Sequence, residues 1–261
     1  MQKISTVSLL LPIYVKLNEQ LIHSFKWYIK SLLPGFNIKD VGILKYSKRF
    51  TEIQIIGEDA KVASKFLTKI FGGPKKWEDI TLGEPVMGRV MRIEEGLVKV
   101  DIGLLEPDYL KVVIPIEKLI ARIFRVEKKI SDDNAQLMGL HRYLPFKVII
   151  REDSKIDYDK REIIGDLGKE TIGMLRNWLK SRFDRLLVLG ATRSSVIKAL
   201  RMSRHGRDIL NVERIGFLEQ AIVCKWGTSS VGLIPEIGEH LPEAKFVAIR
   251  PRYFKKLILG K

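Results

Sequence analysis

The residues best suited to chemistry form the segment 190–195, Gly-Ala-Thr-Arg-Ser-Ser, between an apolar run at 186–189 and a helical pattern. Thr192 is a suitable N-cap, and backbone N–H groups at such a helix start can hold a phosphate. The spacing matches neither G-x-G-x-x-G nor G-x-x-x-x-G-K-S/T, so we expect no nucleotide cofactor, and nothing else in the sequence indicates a cofactor. A single phosphate of an RNA backbone is the better candidate ligand.

A basic helix is predicted after this segment. Val196, Ala199 and Leu200 share its apolar face, and the opposite face carries cations at about 100° per residue. Residues 176–207 contain nine basic side chains and one acid, Asp184, so this surface has one sign of charge. Such a surface on a rigid helix suits a phosphate backbone. In this half of the chain we expect RNA contacts from Thr192, Arg193, Ser194, Lys198, Arg201, Arg204, Arg207, Arg250 and Arg252.

His205 and Asp208 could form an acid–base pair, but a polar loop after the basic helix is the favoured interpretation. The sequence has no Ser-His-Asp order and no kinase, hydrolase or deaminase signature. The other three histidines are isolated and Cys224 is the single cysteine, so we expect no metal site and no intrachain disulfide. We therefore assign no catalytic residue and no metal ligand.

The charge balance favours a polyanionic partner. The 261 residues include 46 Lys and Arg against 31 Asp and Glu, a formal net charge of +15. The charged surface of a thermophile would explain abundant charge but not a surplus of one sign. No apolar stretch reaches the roughly 18 residues of a membrane span, and residues 1–12 are typical of a first strand instead of a signal peptide. We therefore expect a cytoplasmic protein that does not bind a membrane.

An α+β multidomain fold is predicted, beginning with a small α+β sandwich over residues 1–76 in the order strand, helix, strand, strand, helix. Apolar residues recur with helical spacing from Leu17 to Leu33, and Asp59 is placed to cap a second helix. Helical context indicates that Trp27 packs in the core. The turn-rich segment 71–76 is the expected boundary of this first domain.

The segment 83–103 predicts two strongly coiled strands joined by a tight turn at Glu95-Gly96. It resembles the opening of the RNA-binding OB-type barrel first described in the large ribosomal protein that binds messenger RNA. The matching positions are Gly88, Val90, Ile93, Gly96, Val98, Val100, Asp101 and Gly103. The resemblance implies an OB-type β-barrel over residues 77–150, with a helical insertion at 120–143.

The barrel family usually stacks bases on exposed aromatic residues of its early strands. This chain has Met and basic residues there instead, so we expect backbone contacts from Arg89, Arg92 and Lys99. A barrel that only spaces or docks other modules is the competing interpretation. Residues 151–261 predict a third, basic α/β domain, in which 186–189 is a strand buried on both faces and the residues after 249 are a basic tail.

Five short motifs make the whole chain resemble an archaeal family of unassigned function. The motifs are 190–194 (GATRS), 205–208 (HGRD), 212–214 (VER), 224–227 (CKWG) and 232–236 (GLIPE). The resemblance implies an archaeal source and no assigned reaction.

The favoured hypothesis is a non-enzymatic RNA-binding factor of the archaeal ribosome or translation machinery, with RNA, above all ribosomal RNA, as its partner. Ribosomal proteins or RNA polymerase are the further candidate partners. One alternative is an RNA-modifying or RNA-cleaving enzyme that uses His205, Arg207 and Asp208. The other is a transcription-associated protein that docks on polymerase or an initiation factor.

Overall fold

The computed structural model describes residues 3–106 and 110–260 and shows a mixed α+β protein with several sheets. The N-terminal unit has the expected order of strand, helix, strand, strand, helix. Its elements are β1 (Lys3–Leu9), α1 (Glu19–Ser31), β2 (Ile38–Tyr46), β3 (Thr51–Gly57) and α2 (Ala60–Phe71). The antiparallel sheet has the order β1-β3-β2. Asn18 starts α1 by accepting a hydrogen bond from the Leu21 N–H at 2.8 Å.

The central unit is an open seven-stranded sheet. Its order is β10-β11-β8-β6-β5-β9-β12, and the outer strands β10 and β12 do not pair with each other in the described chain. The expected closed OB-type barrel is therefore not found. The strands of this sheet are β5 (Pro85–Glu94), β6 (Leu97–Asp101), β8 (Lys111–Pro115), β9 (Pro145–Ile149), β10 (Ile156–Asp157), β11 (Glu162–Ile164) and β12 (Asp166–Leu167).

Residue 150 is not a boundary of the central sheet, because three of its strands come from residues 156–167. One of them, β11, pairs in parallel with β8. The expected helical insertion begins earlier than residue 120, since β8 ends at Pro115 and a helix begins at Ile116. The remaining elements of this unit are β4 (Lys75–Lys76), β7 (Leu104–Glu106), α3 (Ile116–Phe124) and α4 (Asp132–Gln136).

The C-terminal unit contains a four-stranded sheet of order β14-β15-β13-β16, and every pairing in it is antiparallel. The expectation of an α/β domain is therefore wrong, because the sheet of such a domain is mostly parallel. The elements are α5 (Lys169–Lys180), β13 (Arg185–Leu189), α6 (Arg193–Met202), β14 (Ile209–Arg214), β15 (Glu219–Cys224), α7 (Ile234–Glu239), β16 (Lys245–Ile249) and α8 (Pro251–Leu259).

The strand β13 is buried on both faces, as its apolar run predicts. Leu187 and Leu189 join the core of the central unit, whereas Leu186 and Val188 join a separate core beneath α6 and α7. Because successive side chains of a strand point to opposite faces, one short strand serves two cores. The residues expected to form a basic tail instead form α8, whose Phe254 is fully buried in the central core.

The tip of the β14–β15 hairpin links the C-terminal unit to the N-terminal unit. Phe217, at this tip, belongs to the core of the N-terminal unit. Its ring meets Phe25 of α1 edge to face at 5.1 Å and stacks on Tyr28 at 5.4 Å. Arg49 joins the N-terminal unit to the central one with two hydrogen bonds to Asp101, of 2.6 and 2.9 Å. The three units are therefore joined through buried contacts.

Candidate nucleic-acid interface

A cavity of about 260 Å³ lies where the N-terminal unit meets the C-terminal unit. Its walls come from α1, from the first turn of α6, and from the end of β14 with the hairpin tip. We call it the α1–α6 cleft, and none of the described residues that line it carries a carboxylate. The lining residues are His23, Ser24, Trp27, Tyr28, Thr192, Arg193, Ser194, Ile197, Arg214 and Phe217.

Two neighbouring guanidinium groups give the cleft its charge. The Arg214 guanidinium lies over the rings of Tyr28 at 4.9 Å and Trp27 at 5.5 Å. Burial and the nearby Arg193 lower the pKa of Arg214. Arg193 donates from Nε to the Val212 carbonyl at 3.3 Å. Within residues 3–106 and 110–260, neither arginine has a carboxylate partner.

Trp27 does not pack in the core, which corrects the expectation from its helical context. Its side chain is 59% exposed and forms one rim of the cleft. The buried residues of α1 include Phe25 and Tyr28. Trp27 lies about 100° around the helix from Tyr28, so its indole leaves the core face and keeps a free surface. The helical spacing of α1 could have predicted that Trp27 is exposed. No feature of the sequence predicts that Arg214 lies beside it.

The first turn of α6 is built as predicted. Thr192 is the N-cap, and its hydroxyl oxygen accepts a hydrogen bond from the Ser195 N–H at 3.2 Å. The same oxygen lies 2.9 Å from the hydroxyls of Ser194 and Ser195. These bonds fix the turn that presents Arg193 and Ser194 to the cleft. The cap therefore positions polar groups before any ligand arrives.

Beyond the cleft, α6 carries cations on its exposed face. Lys198 and Arg201 lie one and two turns after Ser194, on the side opposite the buried residues of the helix. Arg204 and Arg207 follow, exposed, at the turn His205–Asp208. The described residues provide no carboxylate partner for any of these four cations. The structure thus places Ser194, Lys198 and Arg201 on one face of α6, with Arg204 and Arg207 at the turn that follows.

Arg250 and Arg252 lie apart from the cleft, beside aromatic residues that the sequence interpretation missed. The Arg252 guanidinium lies 3.9 Å from the centre of the Trp226 ring, and that of Arg250 lies 5.4 Å from the Tyr253 ring. Both rings are largely exposed. The motif Cys-Lys-Trp-Gly contained Trp226, but only the fold places α8 next to it.

The cations expected on the barrel strands do not join this surface. Arg89 is 5% exposed and points its Nη1 at the Glu219 carboxylate, 3.6 Å away. Lys99 is 7% exposed and contacts Glu94 and Glu162, each at 2.6 Å. The expectation of RNA contacts from these two residues is therefore wrong, because both are buried and neutralised.

Arg92 differs from them, since it remains exposed while its Nε lies 3.0 Å from Glu94. Its charge is balanced by a neighbouring acid. An RNA contact from Arg92 stays a prediction.

His205 is held between two carboxylates. Its Nδ1 lies 2.8 Å from Asp208 Oδ2, and its Nε2 lies 3.1 Å from Glu236 Oε2. The bond to Asp208 is the main cause that raises the pKa of His205, and Glu236 adds to it. An imidazole that lies between two carboxylates and has a raised pKa is a poor general base. The geometry fits a structural clamp, in which His205 holds the end of α6 to α7, better than an active site.

In the described part of the chain, no three His, Cys, Asp or Glu residues are grouped so that they could hold a metal ion. No helix in residues 3–106 and 110–260 has the length and apolar character needed to cross a bilayer.

Comparisons with known proteins give a family for the two outer parts of the chain. Residues 6–77 match the model of the DUF2110 N-terminal domain, and residues 183–249 match that of the DUF2110 C-terminal domain. No curated protein matches the chain. A solved structure described as "putative exosome complex RNA-binding protein" is 12% identical over 69% of this chain and 94% of that one. Its TM-score of 0.22 is too low to support a shared fold.

Proposed function

The chain belongs to the DUF2110 family, and from the α1–α6 cleft we propose that it is a non-enzymatic factor that binds single-stranded RNA. In this proposal the cleft receives one unpaired base with its phosphate, and the exposed face of α6 contacts the neighbouring phosphates. The protein contributes affinity and orientation, with little choice of sequence.

One observation carries the proposal. The exposed indole of Trp27 stands beside Arg214 and Arg193, two guanidinium groups that have no carboxylate partner among the described residues. Two adjacent cations are unfavourable unless an anion joins them, and guanidinium groups bind phosphate with two parallel hydrogen bonds. An aromatic face next to such a pair is the arrangement that proteins use to stack a base of single-stranded RNA.

The size and surroundings of the cleft favour a nucleotide of a longer strand. At about 260 Å³ the cavity is smaller than the roughly 300–1,000 Å³ of pockets for drug-sized ligands. It opens onto α6, where Lys198 and Arg201 continue the positive charge. A base inside a duplex could not reach the indole, so the cleft suits a strand whose bases are splayed out.

The finer parts of the proposal are a place in the archaeal translation machinery, ribosomal RNA as the partner, and a cytoplasmic location. The net charge of +15 supports a ribonucleoprotein partner. Cross-linking the protein to RNA in cells and sequencing the bound RNA would test this part. Enrichment of ribosomal RNA is expected, and its absence would refute the ribosomal assignment alone.

The experiment for RNA binding is fluorescence anisotropy with a labelled single strand and a matched duplex, over a series of salt concentrations. The single strand should bind more tightly, and its affinity should fall steeply with salt. Trp27→Ala should weaken binding by about 1–3 kcal/mol, the value of one stacked base. Arg214→Met should lower the salt slope by about one.

Lys65→Met is the matched control, because Lys65 is exposed on α2, outside the cleft. It removes one positive charge without touching the proposed site. If Trp27→Ala and Arg214→Met bind RNA as Lys65→Met does, the cleft is not the site and the proposal fails.

A further inference from the structure

A second cation–aromatic surface lies on the C-terminal unit, away from the α1–α6 cleft. We call it the Trp226 platform and define it by Lys225, Trp226, Arg250, Arg252 and Tyr253. Trp226 is 60% exposed, and the guanidinium of Arg252 lies 3.9 Å from the centre of its ring. Arg250 lies over Tyr253 at 5.4 Å, so the platform contains two aromatic rings, each with its own arginine.

The register of the hairpin shows that the platform and the cleft lie at opposite ends of the sheet. Arg214, in the cleft, pairs with Gln220 near the start of β15. Ile209, at the other end of β14, pairs with Cys224, two residues before Trp226. Strands rise by about 3.3 Å per residue, so this stretch of sheet separates the two sites by roughly 17 Å.

The helix α6 runs along the sheet from the end that carries the cleft towards the end that carries the platform. The helix begins at Arg193 in the cleft and runs for ten residues, or about 15 Å, towards the other end of the sheet. The turn after it carries Arg207, and the next residue, Asp208, accepts a hydrogen bond from the Lys225 N–H at 2.8 Å. The chain segment with Arg207 is therefore adjacent to the segment with Trp226.

We propose that the Trp226 platform is a second base-stacking site, and that one RNA strand runs from the α1–α6 cleft across α6 to this platform. This inference rests on the proposed function of the cleft. It adds a second point of attachment and a minimum length for tight binding.

The chemistry of the platform suits RNA. A base can stack on an aromatic ring or on the plane of an arginine guanidinium, and Arg252 over Trp226 presents both surfaces together. The three charged residues that define the platform, Lys225, Arg250 and Arg252, are all basic. Neither Arg250 nor Arg252 has a carboxylate partner among the residues that the structure describes. Charge complementarity therefore points to the phosphates of a nucleic acid.

A strand bound at two sites gains affinity without new contacts at either one, because the second contact becomes intramolecular. Affinity should consequently rise in a step once the RNA is long enough to reach both sites. A strand bound only in the cleft would show no such step, apart from the slow increase that extra phosphates give.

The test measures the affinity of uridine oligonucleotides from about two to about twelve nucleotides long, a range that covers known single-strand site sizes. For the unmodified protein we expect an increase of about tenfold or more at one threshold length. Trp226→Ala should bind the shortest oligonucleotides unchanged and lose the step. Tyr158→Ala is the control, because Tyr158 is an aromatic residue that is 73% exposed outside both sites.

A step that persists in Trp226→Ala would overturn the second site and leave the cleft proposal intact. Equal weakening of the shortest oligonucleotides by Trp226→Ala and Trp27→Ala would also overturn it, since the two sites would not be separate. If no oligonucleotide binds to the unmodified protein, or if Trp27→Ala changes nothing, the proposed function itself fails. Circular dichroism of each variant shows whether the fold is retained.

Discussion

Arg89→Met is the sharpest test of the structural reasoning, because it separates a buried role from a role in RNA binding. Arg89 donates from Nε to the Leu10 carbonyl and from Nη1 to the Tyr143 carbonyl, both at 3.1 Å. Its Nη1 also lies 3.6 Å from Glu219 Oε2. Tyr14 donates to the other oxygen of Glu219 at 2.8 Å and stacks on Tyr143. One side chain thus joins all three units.

The substitution keeps the volume and removes the charge, so it leaves the Glu219 carboxylate buried without its cation. Removing one partner of a buried ion pair destabilises a protein by about 3–5 kcal/mol. We expect about 3 kcal/mol near neutral pH, the lower end, because burial already raises the pKa of Glu219 and the carboxyl can take up a proton.

The sign of the pH dependence follows from the same shift. A carboxyl whose pKa is higher in the folded state than in the unfolded state binds a proton on folding as the pH falls. Loss of Arg89 removes an interaction that lowers this pKa. The loss of unfolding free energy in Arg89→Met, relative to the unmodified protein, should therefore be largest at about pH 8 and shrink towards about pH 5.

Urea denaturation measures the free energy of unfolding. The single variants Arg89→Met and Glu219→Gln and the double variant that combines them form a double-mutant cycle. Because the double variant has no buried charge, it should recover at least about 1 kcal/mol relative to the sum of the single changes. RNA affinity under native conditions should stay unchanged, since Arg89 does not reach the surface. Unchanged stability together with weaker RNA binding would refute the buried role and restore the expectation from sequence.

Two further predictions concern buried or clamped charges. Lys99→Met should cost about 3 kcal/mol in urea denaturation, because Glu162 loses its buried partner. The exposed Arg92→Met should cost under about 1 kcal/mol, and equal costs would contradict this interpretation. His205→Gln should lose stability mainly below about pH 6.5, where the raised pKa keeps the imidazolium paired with Asp208 in the folded state. The difference from the unmodified protein should disappear as the pH rises through the folded pKa, and a deficit that grows with pH in thermal denaturation would count against the clamp.

The sequence predicted local features well. The apolar run at 186–189 is a strand buried on both faces, and Thr192 caps the helix that follows it. The order of elements in the N-terminal unit is also confirmed. These features depend on neighbouring residues, through helical spacing, strand alternation and capping, so the chain carries their signal locally.

The fate of Arg89 and Lys99 could not be predicted in this way. Both lie in strands with neighbouring residues buried on either side, as in Gly88-Arg89-Val90. An expectation of exposed cations assumes that one sheet face meets solvent, whereas these stretches of β5 and β6 are buried on both faces. The buried carboxylates Glu219 and Glu162 are distant in sequence from Arg89 and Lys99, so no local pattern predicts these two pairs.

The cleft shows the same limit for function. Trp27 and Arg214 come from the first and last units, and only the packing of these units brings them together. The basic residues of α6 were predictable because they share one helix face. The aromatic residues that complete each candidate binding site were not, because their neighbours come from other elements.

Phe217 has a consequence for how this protein could recognise a ligand. The residue that forms the floor of the cleft is embedded in the core of the opposite unit, against Phe25 and Tyr28. The two walls cannot swing apart unless that aromatic cluster comes out of the interior. A ligand that enters the cleft would therefore meet a preformed site, and little of its binding energy would go to ordering the protein. Because of the same aromatic contacts, removing either outer unit would leave part of the buried core of the other unit uncovered.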